Sequence, residues 1–290
     1  MSTKIILGTA TPGGGFPLYG GAFAETINET DPSLSVEPRN TKGSTENIPL
    51  LEAGQLDIGL VTGEPAYEAF EGIGRPRSAL KIITAMYSTA GMFVVRGDSA
   101  AKSIGDLKGK PVAFGAKGSG LTILSRYVLD GIGLDQDKDF QAIYLDKAGD
   151  GPAMVMDGHA AALWGGGVGW PGFAAVAQAG GRFIAPSPEE VTRVRAKHSF
   201  LKATTLPAGS YAEQSAAIHS VGSWSYVLAR PTLEDGIAYA LARALDKGRA
   251  AFLKRLAQAA ETTPQNTATA APRLDLIHPG VRKYLKELGL

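Results

Sequence analysis

Apolar residues first bunch at Ile5 to Leu7, a run of strand length, and then recur at Leu18, Ala22, Phe23 and Ile27 with the spacing of one helix face. Between them lies a loop with Gly8 and Gly13 to Gly15. A glycine-rich turn between a strand and a helix start points unblocked backbone N–H groups at one spot. The helix dipole adds positive potential there, so the spot favours an anion. SLSVEPR (33–39) alternates as a second strand through Leu34 and Val36. Ser44 then caps a helix with Ile48 and Leu51 that stops at Gly54, and LDIGLVT (56–62) reads as a third strand. This alternation argues a parallel sheet with covering helices, in which ligands bind beyond the carboxyl ends of the strands. The Gly13–Gly15 loop, Ser44 and Thr62 to Glu64 fall at such ends.

Further on, 80–96 reads as two strands joined by small residues near Ser88 to Gly91. A strand at Val112 to Phe114 leads through GAKGSG to a helix capped by Ser119, with Leu124, Tyr127 and Val128 on one side. A strand (140–145), a helix (about 151–157) and a strand (161–164) restart the βαβ rhythm, which marks a second lobe. AALWGGGVGWPGF (161–173) runs from a strand into a flexible loop. Ser187, Pro188 and Glu190 form a capping box, and Ser220 to Leu228 is extended. Thr232 is expected to cap a helix through Ile237, Leu241 and Leu245. Thr262 to Ala271 reads as a surface connection, and Pro279 opens a terminal helix. The lobes are expected at 1–89 with 223–290 and at 90–222, with crossings near Ser88–Met92 and Val221–Ser225.

At 290 residues the chain is long for one core, so two lobes suit it. A net charge of +1 offers nothing to nucleic acid, and no apolar stretch reaches the roughly 20 residues that span a bilayer. The absence of cysteine excludes thiolate catalysis, zinc–cysteine sites and disulfides. The sequence shows no signal peptide, which leaves either a cytoplasmic protein or a mature form with a new start methionine.

Four stretches together, GTATPGGGFPLYGGAFAETIN, GSTENIPLLEAGQLDIGLVT, SIGDLKGKPVAFGAKGSG and HPGVRKYLKELG, resemble the TAXI family, the extracytoplasmic solute receptors of TRAP-type transporters. The resemblance implies an α/β, two-lobe periplasmic-binding-protein-like (type II) fold. Each lobe would be a mostly parallel sheet with covering helices, joined by two hinge crossings. It also implies a periplasmic receptor that closes on a small carboxylate, glutamate-like, dicarboxylate or aromatic, and presents it to the membrane components of a TRAP transporter; a monomer is expected. The chain departs from the family pattern at GAKGSGLT, where threonine usually follows GSG directly, and in its glycine-rich 164–172 loop. Both departures border the expected pocket.

The ligand-binding candidates are Gly14, Gly15, Phe16, Tyr19, Ser44, Thr45, Asn47, Thr62, Glu64, Tyr87, Lys117, Gly118, Ser119, Trp164, Gly165 and Trp224. Gly13–Gly15 lacks GxGxxG spacing and GAKGSG lacks a GK[ST] ending, so neither is a nucleotide fingerprint. Ser44 and Ser119 serve first as caps and can also donate to a carboxylate. Asn47 either contacts ligand or stabilises its helix turn. Trp164 and Trp224 are expected to line a pocket, and Trp170 is open between lining and anchoring. Phe16, Tyr19 and Tyr87 are walls or ordinary core, and Glu64 reads as a rim residue. Lys117 and Arg96 are the cations nearest the expected cleft. The scattered His159, His198, His219 and His278 show no HxxxH pair, and no GxSxG elbow occurs. No cofactor, metal or catalytic residue is therefore expected. The alternative is an enzyme on the same scaffold acting on a small anionic metabolite.

Overall fold

The computed structural model describes residues 2–290. The chain opens with β1 (Thr3–Gly8), α1 (Gly15–Thr30), β2 (Leu34–Arg39), α2 (Ser44–Glu52), β3 (Ile58–Val61) and α3 (Gly63–Glu71). Then come β4 (Lys81–Val95), β5 (Pro111–Ala116), α4 (Leu121–Gly131), β6 (Gln141–Leu145) and α5 (Gly151–Met156). They are followed by β7 (Ala162–Gly166), α6 (Pro171–Gln178), β8 (Arg182–Ile184), α7 (Pro188–Lys197) and β9 (Lys202–Leu206). The last block is β10 (Ile218–Ala229), α8 (Asp235–Lys247), α9 (Arg249–Arg255), α10 (Pro264–Ala270) and α11 (Pro279–Glu287). Two compact units result. The first comprises Met1–Ala10, Phe16–Tyr87 and Trp224–Leu290, the second Thr11–Gly15 and Ser88–Ser223. The Thr11–Gly15 loop thus goes with the second unit, although β1 and nearly all of α1 lie in the first.

In the first unit β1 pairs parallel with β2 and with β3, while β10 runs antiparallel to β3 from Ala229↔Ile58 to Tyr226↔Val61. One face of this sheet buries Ile5, Leu7, Leu60 and Val227 with Tyr19, Phe23 and Ile27 of α1. The other buries Val61, Tyr226 and Leu228 with Ile48 and Leu51 of α2. The second unit also packs on both faces. There β5 is parallel to β6 and β7, and β4 is antiparallel to β7 and β8. Phe93, Phe114 and Trp164 anchor one of its cores, and Phe173, Leu163 and Tyr211 the other. Each sheet sets antiparallel strands beside its parallel βαβ strands: β10 against β3 in the first unit, and β4 against β7 and β8 in the second.

Several expected elements change. The small residues at 88–91 do not divide the strand: β4 is continuous over 15 residues. They serve packing instead. A Cβ on Gly91 would sit 2.7 Å from the Trp164 ring, and one on Gly222 would sit 1.6 Å from the Thr89 carbonyl oxygen. The 164–172 segment is a strand end and a turn that starts α6, fastened by Tyr211. The Tyr211 hydroxyl donates to Gly167 O at 2.6 Å and accepts from Trp170 N at 2.7 Å. Thr232 does not cap α8, which starts at Asp235; its hydroxyl instead meets the Arg230 guanidinium. The 262–271 segment is helical over Pro264–Ala270 and is tied to the core by buried Thr262 and Thr267, whose hydroxyls bond the β4 backbone at Met86 and Ala85. The capping box at Ser187 and the Pro279 start of α11 are as read from the sequence.

Candidate functional site

At the strand ends of the first unit, the segment 41–47 folds back on itself before α2. Gly43, at φ 115°, is the residue that turns the chain into the helix. The Thr41 hydroxyl accepts from its N–H at 3.1 Å. Ser44 is therefore inside the helix rather than its cap, and its buried hydroxyl accepts from Thr62 N at 3.1 Å, joining the start of α2 to the end of β3. Asn47, fully buried, donates from Nδ2 to Thr9 O and Leu60 O, both at 2.8 Å, and more weakly to Gly8 O at 3.4 Å. Its Oδ1 has no partner and lies against Gly8, where a Cβ would approach it to 2.6 Å. Asn47 is thus a clamp between β1 and β3 rather than a stabiliser of its own turn.

Thr62 precedes α3, yet its hydroxyl caps nothing and is buried without a partner, as is the hydroxyl of Ser225 on β10. Glu64 is buried in the first turn of α3 rather than on a rim. Burial, with the Glu64 charge nearby, pushes the Tyr226 phenol up, and that phenol donates to Ala270 O at 2.7 Å. Thr45 is exposed on the first turn of α2, and Trp224 is half-buried against the α2 face. Tyr19 is core: it is fully buried, packs edge-on to Tyr87 and Phe252, and bonds Thr262 Oγ1 at 3.0 Å. Tyr87 and Phe16 belong to the same cluster, Phe16 at its partly buried margin.

In the second unit Gly14 and Gly15 are buried in the Thr11–Gly15 loop. That loop is fastened to 148–149: the Thr11 hydroxyl accepts from Ala148 N at 3.2 Å, and a Cβ on Gly13 would lie 2.5 Å from Gly149 Cα. Lys117, Gly118 and Ser119 form the turn before α4, with Gly118 at φ +85°. The Ser119 hydroxyl accepts from Leu121 N at 3.2 Å, which is capping in effect although the first helical residue lies two further on. Lys117 pairs with Asp146 at 3.1 Å, and Arg96 forks onto Asp98 on the surface, so both cations have carboxylates of their own. Trp164 is not a pocket wall. It is fully buried, its Nε1 donates to Leu121 O at 2.8 Å, and its ring packs edge-on to Phe93. Gly165 is a seat for the Trp170 ring, which would lie 2.3 Å from a Cβ there.

Ser225 is not among the ligand-binding candidates; the sequence places it only at the end of an expected crossing, and its position beside the end of β3 depends on the pairing of β10 with β3. Among the described residues no group of three His, Asp or Glu is placed to hold a metal ion, and no helix is long and apolar enough to cross a membrane.

Residues 7–289 match the model of the NMT1-like family. The chain belongs to that family. In three dimensions this family member resembles the periplasmic aliphatic sulphonate binding protein SsuA of Escherichia coli. The two are 20% identical over 99% of this chain and 79% of that one, with a TM-score of 0.51. A putative periplasmic sulfonate-binding protein of Methylobacillus flagellatus KT matches 100% of the chain and 96% of its own at 14% identity, TM-score 0.55. The ligand-binding component of an ABC-type import system from Staphylococcus aureus, solved with zinc bound, matches 97% and 98% at 11% identity, TM-score 0.57. At these identities the likeness is one of fold. The NMT1-like chain has the two-lobe, type II periplasmic-binding-protein architecture.

Proposed function

We propose that this protein is an extracytoplasmic solute-binding receptor that captures a small organic anion by lobe closure and hands it to a membrane transporter, without transforming it. The observation that carries the reading is in the first unit. Buried hydroxyls and helix starts gather at the carboxyl ends of β1 and β3, and two of those hydroxyls have no partner within the protein. Such ends are where open α/β sheets bind ligands, and helix starts favour anions. The type II fold and NMT1-like membership support a receptor, as do neighbours named for sulphonate or ABC-import binding. The solute contacts are assigned to Ser44, Thr45, Thr62 and Trp224 of the first unit, and Gly14, Gly15, Gly118 and Ser119 are the candidates that the second unit offers.

A TRAP-type partner is suggested by the TAXI-like stretches, whereas two of the structural neighbours are named for ABC systems. Reconstitution with candidate membrane subunits distinguishes the two. A thermal-shift panel of organic acids, sulfonates and amino acids, followed by product analysis on each hit, tests the receptor reading itself. A stabilising acid recovered unchanged supports it; net turnover would replace it with an enzyme.

A further inference from the structure

The two unpartnered hydroxyls of the first unit belong to one place. Thr62 and Ser225 are only 6% and 1% exposed, and neither Thr62 Oγ1 nor Ser225 Oγ has a hydrogen-bond partner. In the antiparallel register Val227 faces Leu60 and Tyr226 faces Val61, so the next step puts Ser225 opposite Thr62. Side chains alternate across a sheet. Leu60 and Val227 both lie in the core beneath α1, so Thr62 and Ser225 point to that same face. Helix α1 covers it closely: a Cβ on Gly20 would lie 2.5 Å from Thr9 Cγ2 and 3.6 Å from Leu60 Cδ1. Because α1 returns antiparallel to β1, its first turn beyond Gly20, around Phe16, extends towards Thr62. Thr62 is also the residue from which α3 springs. The hydroxyl pair therefore sits where two helix N-termini supply positive potential, and burying it unpaired disfavours the empty state.

We propose that Thr62 and Ser225 donate their hydroxyl hydrogens to the two oxygens of a solute carboxylate at this point. The proposal rests on the receptor reading and deepens it, by naming the head group and by adding Ser225 as a specificity-determining residue. Two neutral donors side by side match the two acceptor oxygens of a planar carboxylate one to one. A sulfonate brings a third oxygen for which the pair has no hydroxyl.

The test uses the full chain and matched probes: butyrate with propane-1-sulfonate, benzoate with benzenesulfonate, and glutarate with propane-1,3-disulfonate, each titrated by calorimetry. The expected result is that at least one carboxylate binds about tenfold or more tightly than its sulfonate partner. Ser225→Ala and Thr62→Val should each weaken that carboxylate by about tenfold, while Thr62→Ser retains it. Should Thr62→Val fail to fold, judged by circular dichroism, Ser225→Ala and Thr62→Ser carry the comparison. Tighter sulfonate binding, or carboxylate binding indifferent to Ser225→Ala, overturns the assignment and leaves the receptor reading standing. If no probe of any pair binds, both fall together.

Discussion

Asn47 shows how one amide can fix the ends of two strands. Its Nδ2 serves the carbonyls of Thr9, just past the end of β1, and of Leu60, the next-to-last residue of β3. An unpaired buried carbonyl costs about 1–3 kcal/mol, so Asn47→Ala should lower unfolding stability by roughly 2–5 kcal/mol in urea titrations. Asn47→Asp should cost more, since it sets a carboxylate against carbonyl oxygens; an aspartate variant as stable as wild type would refute the clamp. His278 is a second residue whose work is structural. It is buried, Nδ1 accepts from Gly280 N at 3.2 Å, and Nε2 lies 3.1 Å from Leu233 O, which makes the neutral Nε2–H form the one that fits. Burial holds its pKa below the ordinary histidine value, and Lys81 and Arg282 act the same way, against the Leu233 bond and Asp235. The unfolded chain therefore takes up the proton first. This contribution is complete above about pH 6.5 and is lost as pH falls from there towards the folded value. Urea midpoints at pH 7.5 and 5.5 should fall more for wild type than for His278→Asn, which keeps a capping side chain without titrating. Equal falls would mean that another group sets the slope.

At the scale of elements, glycine spacing separates two kinds of demand that look alike in sequence. Gly222 has no room for a methyl group against Thr89, so Gly222→Ala should destabilise by about 1–3 kcal/mol or more. Gly21, inside α1 with nothing within 4 Å of a Cβ, should behave oppositely, with Gly21→Ala adding about 0.5–1 kcal/mol. Thermal midpoints moving in opposite directions check both at once. The same contrast explains what could be read from the chain. The alternation of strand and helix through β3, the capping box at Ser187 and the Pro279 start of α11 rest on neighbours within one or two turns, and these were legible. The unbroken β4 was not, because Ser88 to Gly91 look like a breaker until Trp164 and Gly222 are seen to need their smallness. Ser44 likewise has the composition of a cap, but its partner is the Thr62 N–H, 18 residues away on another element. At the candidate site the glycine-rich loops and Thr62 were readable as local punctuation. The burial of Tyr19 and Trp164, the ion pairs of Lys117 and Arg96, and the place of Ser225 depend on contacts between distant segments.

For the whole molecule, the decisive feature is that the chain changes units four times, at Ala10/Thr11, Gly15/Phe16, Tyr87/Ser88 and Ser223/Trp224. Two of these passages occur inside continuous strands, β4 of 15 residues and β10 of 12. Each strand places side chains in the cores of both units: Met86 and Phe93 from β4, Val227 and Val221 from β10. Losing either unit would strip those strands of half their partners, so the two halves should unfold in one transition rather than in sequence. The tryptophans make this measurable. Trp164 and Trp170 report on the second unit, and Trp224, in a variant with the other two replaced by phenylalanine, reports on the first. Denaturation followed by each emission and by far-ultraviolet circular dichroism should give coincident midpoints. Adding a ligand at a hundred times its Kd should then raise the stability seen by every probe by the same amount, about 2.7 kcal/mol. Midpoints that separate, or a ligand that shifts only one emission, would show that β4 and β10 tether two independent domains, and that capture of the solute is an affair of one of them.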